Sequence, residues 1–193
     1  MPHKFNPSHK SALDDPGRSR LLPPRELLEK MGLSAGQAFL DVGAGTGFFT
    51  FPALEIVGKG GHVMAVDISR DMIMELLERS KNVSSSNLDI LYSSEGRLQV
   101  QSHSVDFALA AFVLHEAEDV DGLLADIRRA LKPGGILAVL EWEKKETKEG
   151  PPLSDRLDGD KLAVTLSEAG FKASLPEPCN PFHYRIIARK DSA

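Results

Sequence analysis

Apolar and polar positions along this chain follow two periods in alternation. Short apolar runs bounded by glycine or charge recur at 38–43, 62–67, 88–92, 105–111 and 136–141. These predict strands, and the run 105–111, nearly all apolar, predicts a strand covered on both faces. Between them the spacing turns helical. Met72, Ile73, Leu76 and Leu77 form an apolar stripe over 70–80, with Ser69 as the N-cap and Asp71 in the first turn. Val120, Leu123, Leu124, Ile127 and Leu131 form another over 119–131, stopped by Lys132-Pro133-Gly134-Gly135. A short helix runs from Pro23-Pro24 through Met31, with Leu27, Leu28 and Met31 inward and Gly32 as its stop. Pro52 lies inside Thr46–Val57 and would remove an internal hydrogen bond, so that helix is expected to start late, near Thr50, or irregularly. A last helix at 160–169, closed by Gly170, and strands near 172–175 and 182–189 finish the chain. The β-α-β-α alternation calls for a parallel sheet with helices on both faces, whose ligands bind at the carboxyl ends of the strands. Asp41, Asp67, Ser94, Ala111 and Glu141 fall at or near those ends.

The first strand carries the most chemistry. It runs into the turn Asp41-Val-Gly43-Ala44-Gly45-Thr-Gly47, a D-x-G-x-G-x-G spacing. Glycines there allow positive φ and a close approach of backbone to ligand. A carboxylate beside the turn would repel a pyrophosphate, and Phe48 stands where a nicotinamide fingerprint would place its third glycine. S-adenosylmethionine brings a cationic sulfonium and an ammonium instead, and an acid suits them. Asp67, 20 residues beyond Gly47, closes the second strand and can accept both ribose hydroxyls; its bland alternative is a turn or helix-cap residue.

At 193 residues the chain is read as a single domain, 1–193, with a polar N-terminal arm over 1–22 and a charged stretch over 143–160 that is a loop or a lid. Its net charge of −5 argues against a nucleic-acid substrate without excluding one. The single cysteine, Cys179, rules out an internal disulfide and a cysteine-based metal cluster. No apolar run reaches ~18 residues, the length a membrane span needs. With no apolar signal region at the N-terminus, a cytoplasmic protein is expected.

On these motifs, together with Ala65-Val-Asp-Ile-Ser69, Val105-Asp-Phe-Ala108 and Leu131-Lys-Pro-Gly-Gly-Ile136, the chain resembles the class I S-adenosylmethionine-dependent methyltransferases over roughly residues 25–190. Within them it is similar to the small subset that includes quinone-biosynthesis-type enzymes. The resemblance implies a Rossmann-like α/β three-layer sandwich, with a seven-stranded, mostly parallel sheet and one antiparallel strand near the C-terminus. It implies S-adenosylmethionine as cofactor and S-adenosylhomocysteine as product. Asp41, Gly43, Ala44 and Gly45 would hold the methionine end, Asp67 the ribose, and Ile68 the adenine. Ser94-Glu95 stands where many relatives carry an acidic residue and then a small one facing the adenine, and Ala111 ends the fourth strand at the ligand.

Methyl transfer from a sulfonium is an in-line displacement, so the protein must position a nucleophile, exclude water and accept a proton. His115, just past the fourth strand, is the candidate general base, or a histidine that shapes the pocket; Glu116 beside it would orient it, bind a cationic acceptor or sit solvated. His3 and His9 on the arm could join them around a metal, although no metal site is assigned. Trp142 is read as a pocket wall or core residue, Tyr184 as a strand residue and Cys179 as idle. The acceptor is read as a small molecule. The competing functions are a cofactor-binding protein without catalysis, a protein or RNA methyltransferase and, least of all, a nicotinamide oxidoreductase.

Overall fold

The computed structural model describes residues 16–83, 86–94 and 97–192. Two short helices, α1 (Pro16–Leu21) and α2 (Pro24–Met31), lead into β1 (Ala38–Val42). The chain continues through α3 (Thr50–Val57), β2 (His62–Asp67), α4 (Arg70–Ser80), β3 (Leu88–Tyr92) and β4 (Val105–Ala111). A 3-10 turn (Leu114–Glu116) precedes α5 (Val120–Ala130) and β5 (Leu131–Trp142). The remainder is α6 (Gly159–Glu168), β6 (Phe171–Ala173), β7 (Glu177–Asn180) and β8 (His183–Lys190).

The strands form one sheet in the order β3-β2-β1-β4-β5-β8-β6, with β7 also paired to β8. β1 to β5 pair in parallel and β8 is antiparallel to β5, β6 and β7. The chain winds outward from β1 to β3, then returns to lay β4 on the other side of β1. That reversal opens a crevice beyond the carboxyl ends of β1, β2 and β4, where such sheets take their ligands. Leu27, Leu28 and Met31 of α2 and Ala53 and Leu54 of α3 bury one face against Phe39, Phe107 and Leu140. Leu124 and Ile127 of α5 and Leu162 and Leu166 of α6 bury the other against Val105, Val139 and Ile186. The three-layer α/β expectation is met.

Several local expectations hold for local reasons. Gly32 caps α2 in the left-handed region at φ 107°. Ser69 accepts a hydrogen bond from the backbone N of Met72 and so caps α4. α3 starts at Thr50, which places Pro52 in its first turn, where backbone N–H groups have no intrahelical partner to lose.

Three expectations need correction. The sheet has eight strands rather than seven. β6 covers only the last residues of β8, and the segment containing Pro178 pairs with the uncovered first half, with a register break. Proline cannot donate to a ladder, so its strand sits at an edge. β5 begins at Leu131, not 136, because Leu131 already pairs with Val105 of β4; the register then breaks across Lys132-Pro133-Gly134-Gly135, where Gly134 is left-handed, and resumes at Ile136 opposite Phe107. Within the expected arm, residues 16–21 are helical; residues 1–15, including His3 and His9, lie outside the described residues. Among the described residues no helix is long and apolar enough to cross a membrane.

The loop expected as a lid is organised by one side chain. Arg156 is 3% exposed. Its Nε donates to Pro151 O at 3.0 Å, one terminal nitrogen to Glu143 O and Lys145 O, and the other to Thr147 Oγ1 and Glu149 O. All five donors are used, and the guanidinium lies 5.1 Å over the Trp142 ring. Ammonium geometry cannot reproduce that fork. Arg156→Lys is expected to cost about 2–4 kcal/mol, roughly 5–12 °C in Tm. Thermal unfolding at pH 7 checks this, and an unchanged Tm would show that the loop is held by other contacts.

Candidate functional site

Asp41 is the penultimate residue of β1, between two parallel neighbours, and is 2% exposed. Its Oδ2 accepts a hydrogen bond from the Thr50 hydroxyl at 2.6 Å. Burial pushes its pKa up to about 7; the Thr50 bond opposes the rise, Asp67 adds to it, and Arg18 opposes it. The turn that follows is left-handed at Gly43, Gly45 and Gly47. Side chains have no room there. A Cβ on Gly43 would meet Val113 Cγ2 at 2.4 Å, and one on Gly47 would meet the Phe51 ring. Gly43 N and Ala44 N donate to Val66 O at 2.8 and 3.0 Å, which clamps the turn onto the end of β2.

Asp67 completes the clamp. Its two oxygens accept from Gly45 N and Ser69 N, each at 2.8 Å. The turn role weighed from sequence is therefore real, and it coexists with unused lone pairs on a carboxylate. Burial raises its pKa, against the hydrogen bonds it accepts.

Above this floor lies a cavity of about 740 Å³. Of the residues singled out from sequence, Asp41, Gly43, Ala44, Gly45, Asp67, Ile68, Ser94, Ala111 and Glu116 line it. Glu95 lies outside the described residues. His115 is not in the wall. It is buried behind, with Nδ1 at 2.7 Å from Glu141 Oε2 and its backbone N donating to Glu141 Oε1. Its Nε2 is 3.7 Å from Glu116 Oε1, and Glu116 does face the cavity. Burial disfavours the charged ring, but the bond to Glu141 and the charges of Glu141, Glu116 and Asp155 outweigh it and raise the pKa. A buried carboxylate, an imidazole and a cavity-facing carboxylate thus stand in line. Among the described residues no His, Cys, Asp and Glu group could hold a metal.

Other wall residues escaped the sequence reading. Arg18 of α1 reaches the cavity and lies 4.1 Å over the Phe48 ring. Phe112 lines it with a left-handed backbone, φ 60°. Arg97, Glu118 and Asp119 complete the charged wall, which holds Asp41, Asp67, Glu116, Glu118 and Asp119 against Arg18 and Arg97. Five acids against two bases favour a cationic ligand and disfavour a phosphate-bearing one. The only audible signal was the charge of residues 116–119; α1 sits in a segment without apolar periodicity.

This strand order, glycine turn and pair of acids define the Rossmann-like fold of class I S-adenosylmethionine-dependent methyltransferases. A solved structure described as a SAM-dependent methyltransferase from Aquifex aeolicus superposes with a TM-score of 0.92 at 31% identity, covering 96% of this chain and 99% of that one. The profile of the ubiE/COQ5 methyltransferase family matches residues 24–150, and the chain belongs to that family. Among curated relatives, an arsenite methyltransferase of Halobacterium salinarum is 30% identical over 154 residues, 73% of this chain and 39% of its own length. A ubiquinone/menaquinone biosynthesis C-methyltransferase of Hahella chejuensis is 32% identical over 124 residues, 62% of this chain and 49% of its own. The chain thus spans half or less of the length of these curated relatives.

Because folding raises the Asp41 pKa from 3.8 to about 7, its ionisation destabilises the ligand-free fold. The cost is absent below about pH 4, grows between the two values and is complete above about 7. Asp41→Asn is expected to stabilise the ligand-free protein at pH 8 by on the order of 2 kcal/mol, with a much smaller gain at pH 5. Thermal shifts at the two pH values check this, and an equal shift at both would contradict it.

Proposed function

We propose that the protein is an S-adenosylmethionine-dependent methyltransferase acting on a small-molecule acceptor. The observation that carries this reading is the buried Asp41 beneath a glycine turn, at the floor of an acid-lined cavity. The cofactor would supply an electrophilic methyl group on a cationic sulfonium. Residues present here fit such a ligand. Asp41 and the backbone of Gly43, Ala44 and Gly45 would bind its methionine end, and its positive charge would favour the ionised form of Asp41. Asp67 keeps lone pairs for two ribose hydroxyls. Ile68, 45% exposed on the cavity wall, offers an apolar face to the adenine, with Ser94 on the same wall. Ala111 leaves space at the end of β4.

In this reading Glu116 accepts the proton released by the acceptor, and His115 behind it is the positioning residue, bound to Glu141 on one side and 3.7 Å from Glu116 on the other. The acidic wall supports a neutral or cationic small acceptor over a nucleic acid. Cys179, the only cysteine, lies on β7 and is not in the cavity wall, which supports an acceptor other than arsenic held by thiolates.

Calorimetric titration with S-adenosylmethionine tests the reading. Wild type is expected to bind, and Asp67→Ala to lose at least tenfold in affinity. Because only ionised Asp41 welcomes the cation, affinity should rise about tenfold from pH 5.5 to 7, and Asp41→Asn should flatten that dependence. No wild-type binding would end the proposal. A pH dependence unchanged in Asp41→Asn would remove Asp41 from it. Glu116→Gln should slow methyl transfer about 100-fold with cofactor affinity within a few-fold of wild type; full activity would dismiss the carboxylate.

A further inference from the structure

Two bases stand in the acidic wall of the cavity, Arg18 and Arg97, and they are placed differently. Arg97 is exposed beyond β3, bridged to Ser94. Arg18 is half-buried on α1, with its guanidinium 4.1 Å over the Phe48 ring and 6.0 Å from the Phe112 ring. Phe48 directly follows the glycine turn. The charges that act on Asp41 are those of Asp67 and Arg18, and Arg18 opposes the rise in its pKa. Arg18 is therefore the base at the Asp41 end of the cavity.

Its place is fixed from outside the cavity. The backbone N of Leu22 donates to Arg18 O at 2.7 Å, and Leu22 is buried in the same core as Phe49. Asn180 on β7 donates through Nδ2 to Leu21 O at 3.1 Å. These ties hold the end of α1 to the body of the protein and lay Arg18, one turn earlier, against Phe48. Arg18 precedes residues 24–150, over which the family profile matches, so the feature belongs to this chain rather than to that profile.

The methionine end of S-adenosylmethionine is a zwitterion, with an ammonium and a carboxylate on one carbon. An acid-lined floor suits the ammonium and the sulfonium, and it repels the carboxylate. A cation beside Asp41 removes that conflict. A guanidinium suits the task, because it is planar, always charged and presents paired donors that match a carboxylate. A ring contact uses its face while its donors point along its plane, so stacking on Phe48 is compatible with a carboxylate at the edge.

We propose that Arg18 binds the carboxylate of the cofactor's methionine end, so that Asp41 and Arg18 read the zwitterion as a pair of opposite charges. The proposal rests on the reading of the cavity as the S-adenosylmethionine site. It makes α1 part of cofactor recognition. It also gives the cavity a preference that its acidic wall alone would reverse, since five acids against two bases favour the more cationic of two ligands.

The test is calorimetric titration of the full chain with S-adenosylmethionine and with its decarboxylated form, which keeps the sulfonium and the amine and lacks the carboxylate. Wild type should bind S-adenosylmethionine at least about tenfold tighter, the effect of a charge-assisted pair. Arg18→Gln should weaken S-adenosylmethionine by about that factor, leave the decarboxylated ligand within about threefold or tighten it, and bring the ratio close to one. Arg18→Lys keeps the charge without the fork and should fall between. A wild-type protein without the preference would overturn the assignment. So would a preference that survives in Arg18→Gln, including through an equal loss of both ligands, which is what a merely structural residue would give. If Arg18→Gln does not fold, Arg18→Lys decides: a smaller ratio supports the pair and an unchanged one overturns it. If both ligands bind wild type equally, only the Arg18 assignment falls; if neither binds, the cofactor reading falls with it.

Discussion

A carboxylate taken out of water at the end of β1 is the constraint around which this molecule is arranged. Asp41 cannot be solvated there, because β2 and β4 flank its strand and helices cover both faces. Thr50 gives it one hydrogen bond, and Thr50 stands at the start of α3 because Pro52 forbids an earlier start to regular helix. The glycine turn must then climb over this acid without side chains of its own, clamped to β2 by Val66 O and Asp67. The fold thus carries an ionisation cost in its ligand-free state, and a bound cation is the natural way to offset it. Stability and function oppose each other at this one residue.

The two ends of the crevice are built differently. At the cofactor end the work is done by backbone and carboxylates fixed in secondary structure. At the other end it is done by Arg18 from α1 and Phe112 after β4, with Trp142 at the end of β5 and His183 at the start of β8 packed behind Phe112. Arg156 ties the loop after β5 to Trp142 through a single buried cation.

What could be read in the sequence was what is decided locally. The glycine turn with its acid, the Ser69 cap, the Gly32 stop and the late start of α3 each depend on a few adjacent residues, and each is found. The parallel sheet followed from alternation of period, and so did the place of the crevice. What could not be read depends on distant partners. β7 exists because β6 is too short to cover β8. β5 gains residues because Leu131 meets Val105 of β4 before the break at Lys132-Pro133-Gly134-Gly135. His115 was expected to face the ligand, yet Glu141, one strand away, holds it behind Glu116. Arg18 joins the cavity wall only because α1 lays it over Phe48, and no local pattern announces that.

The account stands on Asp41 being a protonatable carboxylate that a cationic ligand forces into its charged form. Carbon-13 NMR of labelled aspartate, with Asp41→Asn for assignment, reads that titration directly. The expected result is a midpoint near pH 7 in the free protein that falls well below the physiological range with S-adenosylmethionine bound. A midpoint unmoved by the ligand, or an Asp41 that titrates like an exposed aspartate in its absence, would contradict the account.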